Sequence, residues 1–184
     1  MKKILLIIIV LIVLISVAIL FSKRSKKPAS EMPKELPKAM KLTSSAFEQN
    51  QPIPKKYTCD GQDINPPLKI EDVPENTKSL VLIVDDPDAP MGTFTHWLVW
   101  NIDPKTTLIE ENSVPEGAIQ GVDDFGRNSY GGPCPPFGTH HYHFKLYAID
   151  TQLDLSPSSK KSDLEKAIEG HILDWTELIG TFQR

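Results

Sequence analysis

The sequence predicts a mainly β protein: two packed antiparallel sheets in a β-sandwich with a C-terminal helix, preceded by an N-terminal transmembrane helix. Three observations lead there. Short apolar runs alternate with turn signals, and sixteen of the 184 residues are Pro, which opposes a helical bundle. Helical periodicity is confined to one segment near the C-terminus. An apolar run long enough to cross a bilayer opens the chain.

That run, Ile4 to Phe21, has Ser16 as its single polar residue. As a helix it would be about 27 Å long, close to the hydrocarbon thickness of a membrane. Lys2 and Lys3 precede it, and Lys23, Arg24, Lys26 and Lys27 come after it. Residues 1–22 therefore read as an uncleaved anchor. A signal peptide is the alternative, but the small residues Ser16-Val17-Ala18 sit inside the run and not after it. Lys and Arg counts alone lean toward a cytoplasmic domain. A lone N-terminal anchor more often exports the domain behind it, so the expectation is a single-pass membrane protein with its domain outside the cytoplasm. Residues 23–41 are basic, carry Pro28, Pro33 and Pro37, and read as a linker. Residues 42–184 form the domain, long enough for one core.

Within the domain, Ser79 to Asp85 is a continuous apolar run, expected as a buried strand. His96 to Ile102 is a second strand, stopped by Asp103-Pro104, and His140 to Ile149 a third. Pro66-Pro67, Asp86-Pro87, Ala89-Pro90, Gly131-Gly132-Pro133 and Pro135-Pro136 mark loops. The helix starts at Ser162, with Glu165 completing a capping box. Leu164, Ala167 and Ile168 give its apolar spacing, and Gly170 its stop.

Charge narrows the function. Residues 1–41 hold nine Lys and Arg against two Asp and Glu; the remainder holds eleven against twenty-two. An acidic domain excludes nucleic acid as a partner, since phosphate neutralisation needs clustered cations. The basic segment beside the apolar run fits a membrane flank, and residues 4–21 are the expected membrane contact.

Two loop-rich segments carry the chemistry: Asp85 to Pro90 with His96-Trp97, and Gly126 to Tyr142. Each sets a Pro- or Gly-rich loop against a strand end, a common place for ligand sites. Alternation along the third strand puts His140, Tyr142, Phe144, Leu146 and Ala148 on one face, which is core-facing. His141, His143, Lys145 and Tyr147 take the other face, with His141 and His143 solvated. This splits the tempting His-His-Tyr-His cluster, and there is no His-Glu-x-x-His or Cys-x-x-Cys spacing. No metal or cofactor is expected. The residue types instead fit a small anion pocket. His96 and His140 offer ring N–H groups, Tyr142 a hydroxyl, and the Gly-rich loop backbone amides. Asp86 would orient a histidine or hold the cationic part of a zwitterion. Read blandly, His96 and His140 are hydrogen-bonded strand-end residues. Ser44 and Ser129 lack a nucleophile-elbow context. Cys59 and Cys134 lie in loops. They either form one disulfide, stabilising by roughly 4 kcal/mol through loop closure, or are two free thiols of a reducing compartment.

Taken together, Asp86-Pro-Asp-Ala-Pro90 with His96-Trp97, then Gly132-Pro-Cys-Pro-Pro136 and Gly138-Thr-His-His-Tyr142, resemble the signature blocks of the phosphatidylethanolamine-binding protein family. The bacterial and archaeal Raf kinase inhibitor-like branch is the nearest match. Tyr57-Thr-Cys-Asp-Gly61, Asn65-Pro-Pro-Leu68, Gly170-His-Ile-Leu173 and Leu178-Ile-Gly-Thr-Phe182 extend the resemblance over residues 42–184. It implies a sandwich of two antiparallel sheets with an anion pocket lined by Asp86, His96, His140 and Tyr142 and rimmed by Pro136 and Gly138. Members bind phosphate, acetate and phospholipid head groups, and some regulate kinases or proteases. Three positions depart from the pattern: His141 where Arg is usual, Asn65 where Ser is frequent, and Trp175 where a small residue is usual. The expected function is binding of a small anion or phospholipid head group at a membrane. The alternatives are a protein partner, a protease or kinase inhibited through the pocket or its rim, and an esterase-like hydrolase using His96 or His140 as general base.

Overall fold

The structure, a computed structural model, describes residues 39–184. The expected anchor and all but the end of the linker lie outside the described residues. Among the described residues no helix is long and apolar enough to cross a membrane.

In chain order the strands are β1 (Lys41–Thr43), β2 (Gln51–Pro52), β3 (Leu68–Glu71), β4 (Ser79–Asp86), β5 (Phe94–Ile102), β6 (Leu108–Ile109), β7 (Ile119–Gln120), β8 (Thr139–Ile149) and β9 (Ile172–Gln183). A 3-10 turn, Lys55–Tyr57, lies after β2, and helix α1, Lys161–Ile168, precedes β9. Two sheets result, β1-β3-β6 and β2-β9-β8-β4-β5-β7. The three expected strands are β4, β5 and β8, each extended by one or two residues. The expectation of purely antiparallel sheets needs one correction, because β2 pairs with β9 in parallel. β2 is two residues long and hangs on the edge of the larger sheet, so its direction is set by the loop that delivers it, not by a hairpin.

The larger sheet is buried on both faces. One face packs Leu82, Val84, Trp97, Phe144 and Leu146 against Leu42, Leu68, Ile70 and Ile109 of the smaller sheet. The other packs Val81, Ile83, Leu98 and Trp100 under Leu164 and Ile168 of α1. This double covering is why every residue of β4 is buried and why its sequence reads as an unbroken apolar run. Strand β8 alternates instead, with His140, Tyr142, Phe144, Leu146 and Ala148 buried. That is the face expected from parity.

Helix α1 begins one residue before the expected cap. The Lys160 N–H donates to the Asp163 carboxylate at 2.9 Å, so Asp163 and not Glu165 closes the box. Gly170 comes just after the helix at φ +79°, a left-handed stop that glycine takes without strain.

Two register slips bend β5 relative to β4. One lies between Leu80 and Leu82, at Trp100-Asn101. There Asn101 adopts φ +55°, and its side-chain amide bonds both the N–H and the C=O of Leu153 at 2.9 Å. The other lies between the pairs Val84–Trp97 and Asp85–Thr95. Strand β5 holds one residue more than β4 there, and that residue is His96. A bulge of this kind turns two successive side chains to one face.

Gly180 stands opposite Tyr142 in the β8–β9 ladder. A Cβ there would fall 2.4 Å from Ile53 Cγ1 and 2.7 Å from Phe47 Cε2. Gly180→Ala should therefore overpack the core and lower stability by about 1–3 kcal/mol, read from the midpoint of urea unfolding.

Candidate functional site

The site forms where β4, β5 and β8 end together. β4 contributes Asp86, β8 contributes His140 and Tyr142, and the bulge of β5 brings His96 onto the same face. Without the extra residue His96 would lie across from Asp85 and point toward α1. Aromatic contacts record the actual orientation. The His96 ring meets Tyr142 edge-on at 5.2 Å, Phe94 at 5.3 Å and Phe125 at 5.4 Å. The His140 ring stacks on Tyr142 at 6.5 Å. Relative exposures are 3% for Asp86, 3% for His96, 4% for His140 and 1% for Tyr142, so all four work in a largely dehydrated setting.

Each histidine has one nitrogen committed. His96 Nδ1 lies 2.7 Å from the Gly131 carbonyl oxygen. A carbonyl only accepts, so Nδ1 carries the hydrogen. His140 Nδ1 lies 2.6 Å from Asp86 Oδ2, which fixes the ring. Neither Nε2 has a partner among the described residues. The Tyr142 hydroxyl is buried and makes no hydrogen bond of normal geometry among the described residues. Orphaned buried hydroxyls are uncommon, and this one lies beside the rings of both histidines.

Burial dominates the acid–base character. It pushes the His96 imidazole below its ordinary value of 6.5, against the opposing pull of the Gly131 carbonyl and of Asp86, Asp123 and Asp85. Burial also raises the Tyr142 phenol, helped by the charge of Asp86 and opposed by the Cys134 backbone amide, which points toward it. An amide only donates, so the phenolic hydrogen itself stays unspent. At neutral pH the site thus presents a neutral His96 and a neutral Tyr142.

The surrounding loops are fastened at several points. Asp86 Oδ1 accepts from the Asp88 N–H at 2.8 Å. Asp88 Oδ2 in turn accepts from the His141 N–H at 2.8 Å and pairs with His141 Nδ1 at 2.7 Å. That contact draws the Asp88 carboxyl below the usual carboxylate range. His141 is exposed and acts as a loop clamp. His143 is half-buried and pairs with Glu177 at 2.7 Å, so it is less solvated than expected. Pro136 and Gly138 are exposed in the loop entering β8, Gly138 at φ +74°. Cys59 and Cys134 are joined, with Cα atoms 5.5 Å apart. Beside the bond, the Cys59 N–H donates to Pro133 O at 3.1 Å and the Gly132 N–H to Asp63 Oδ1 at 2.6 Å. The loop carrying Gly131 is thereby pinned to the 3-10 turn region. Arg127 lies over the Phe125 ring at 4.7 Å and near Asp63 and Asp123, in a loop salt bridge.

Two contributors escape sequence reasoning. The Gly131 carbonyl that sets the His96 tautomer is a backbone group with no sequence signal. Asp85 is the other: its side chain is fully buried on the α1 side, paired with Lys145 and Lys161. Parity along β4, with Lys145 on the polar face of β8, is the clue that could have found it.

Comparison with known proteins identifies the family. The family model described as phosphatidylethanolamine-binding protein matches residues 43–183. A UPF0098 protein of Pyrococcus horikoshii is 58% identical over 149 residues, spanning 77% of this chain and 75% of that one. A UPF0098 protein of Methanothermobacter thermautotrophicus is 49% identical over 150 residues, covering 79% of this chain and 99% of that one. Among solved structures, a putative phosphatidylethanolamine-binding protein homologue from Chlamydia trachomatis superposes with a TM-score of 0.77 at 44% identity, covering 79% of this chain and 98% of that one. An Escherichia coli protein described as a new member of the mammalian family superposes with a TM-score of 0.76 at 29% identity, covering 80% and 99%.

The site generates two expected outcomes. The unfolded chain protonates His96 near pH 6.5, whereas the folded chain resists it. The His96 contribution to stability is therefore complete above that pH and is lost as pH falls below it, at up to about 1.4 kcal/mol per pH unit. Urea unfolding at several pH values should show this acid-side slope in the wild type and a shallower one in His96→Gln. Replacing both cysteines by Ser frees a loop with a sequence separation of 75, and should lower stability by roughly 4 kcal/mol in the same assay.

Proposed function

The chain belongs to the phosphatidylethanolamine-binding protein family, and from that premise we propose that it is a membrane-anchored binding protein for small anions, phosphate-bearing head groups included. One observation carries the reading. Two nearly buried histidines, each fixed through Nδ1, have no partner at Nε2 among the described residues and flank the orphaned hydroxyl of Tyr142. A buried site with unspent polar atoms on three side chains is built for a ligand that supplies the missing bonds. Asp86 turns Oδ2 to His140 Nδ1 and Oδ1 to the Asp88 N–H, so its oxygens face donors of the protein and not the ligand. The apolar run 4–21 and its basic flanks support attachment to a membrane, with the domain outside the cytoplasm, where the Cys59–Cys134 bond persists.

A second reading has its own observation. Phe125, Phe137 and Met91, in loops near the site, are 42%, 69% and 101% exposed. Apolar side chains displayed this way fit a protein partner, a protease or kinase held at the rim.

The full chain titrated with inorganic phosphate, with histidine ring signals followed by NMR, tests the first reading. The His96 and His140 signals should shift together and saturate. His140→Ala and Tyr142→Phe should each weaken binding by roughly 10- to 100-fold, as expected for loss of a hydrogen bond to a charged group. If both variants bind as the wild type does, the site is not the anion pocket, and co-purification of a protein partner lost on Phe137→Ser becomes the deciding measurement.

A further inference from the structure

We propose that the exposed apolar patch at the start of β9, built around Trp175, is the surface with which the domain rests on a lipid bilayer. The inference rests on the membrane-anchored reading above and adds which side of the domain meets the lipid.

The patch arises at an irregularity in the β8–β9 ladder. Ile172 pairs with Ile149 and Asp174 with Ala148, so Leu173 is an extra residue on β9. A bulge of this kind turns successive side chains to one face. Ile172, Leu173 and Trp175 are 43%, 43% and 55% exposed. Trp175 stacks on the half-buried Tyr147, with ring centroids 6.2 Å apart. Ile172 also borders a groove of about 440 Å³ against α1, with Tyr147 and Ile168 in its walls. Large apolar side chains shown together on a surface mark a contact. A Trp beside a Tyr suits the boundary between water and hydrocarbon, where rings with one apolar and one polar side collect.

The route of the chain selects the occupant. The described residues begin at Ala39, and the Met40 N–H donates to Asp174 Oδ2 at 3.0 Å. Asp174 stands between Leu173 and Trp175 in sequence. Whatever precedes the domain is therefore attached beside the patch. Residues 22–38 separate the apolar run from Ala39, a stretch that spans at most about 60 Å. A surface at the attachment point of so short a tether meets the bilayer at high effective concentration, and a small apolar area suffices to hold it there.

A second set of exposed apolar side chains, Met91, Phe125 and Phe137, surrounds the pocket. It belongs to the other end of the ladder, where His140 pairs with Phe182, whereas Tyr147 pairs with Trp175. The step from His140 to Tyr147 along β8 is about 23 Å. A bilayer at the Trp175 end thus leaves the pocket rim in water. Charge narrows the lipid. Glu165, Lys166 and Glu169 at the groove and Asp174 on β9 are acidic on balance, so the surface fits zwitterionic lipid and not an anionic one.

Trp175 makes the test direct. The other two tryptophans, Trp97 and Trp100, are buried, so contact quenching from the lipid phase reads Trp175. The full chain is reconstituted in phosphatidylcholine vesicles, recovered by flotation, and its emission compared with that in phosphatidylcholine brominated high on the acyl chains. Bromolipid should remove the Trp175 share of the wild-type emission and leave Trp175→Phe unquenched. Phe keeps an aromatic ring over Tyr147, and the wild-type measurement needs no variant. Ile172→Glu with Leu173→Glu, both at exposed positions, should float as the wild type does and lose most of the quenching. A wild-type chain that floats with the vesicles and is not quenched overturns the proposal and leaves anchoring intact, because flotation reads anchoring separately. Equal quenching in Trp175→Phe overturns it as well. A chain that does not float removes the anchored reading, and this inference with it.

Discussion

The last two residues of β4 are consecutive carboxylates, both inside the protein, and alternation sends them to opposite faces. A buried carboxylate without a partner costs several kcal/mol, so each recruits side chains that donate hydrogen bonds to it. Asp85 takes Lys145 of β8 and Lys161 at the start of α1. Asp86 takes His140 of β8. The first arrangement fastens the helix to the sheet; the second sets the ring around which the site is built. The packing on one face of β4 and the polarity of the site on the other thus stem from the same dipeptide. The fixed rings of His140 and Tyr142 make sense only because β8 is held against β4 from both sides.

The sequence carries much of this, unevenly. Periodicity on β8 separates His140 and Tyr142 from His141 and His143, because one face of that strand is core and the other is not. Strand β4 is visible as a run of apolar residues, because both of its faces are covered. Strand β9 is not visible. Half of its twelve residues are half-buried and four are exposed, Trp175 among them and stacked on Tyr147, so neither alternation nor a solid apolar run marks it. The two-residue β2 carries no periodic signal at all. Helix α1 is legible from Leu164 and Ile168, yet its cap is ambiguous because Asp163 serves the N-cap as well as Glu165 would.

The site shows the same division. Residue type and family resemblance point to Asp86, His96, His140 and Tyr142, and the fold brings these four side chains together. What no sequence pattern can supply is the hydrogen-bond polarity: which nitrogen of each ring is spent, and on what. For His96 the answer is a backbone carbonyl in a loop thirty-five residues away. That loop's position depends on a disulfide and on the bond from Gly132 to Asp63. Long-range backbone placement decides whether an imidazole donates or accepts, and long-range placement is where one-dimensional patterns end.

The bulge at His96 bears on how such a site could arise. One supernumerary residue in β5 places an imidazole among Phe94, Phe125 and Tyr142, while the strands on either side keep their pairing. Deleting Thr95 would restore an even ladder, seat His96 opposite Asp85 and rotate the ring out of the pocket. Trp97 and Val84 would still face each other across the same two strands. Recognition and architecture are therefore separable here by a single codon. A lineage of this fold could gain or lose its ligand through one insertion or deletion.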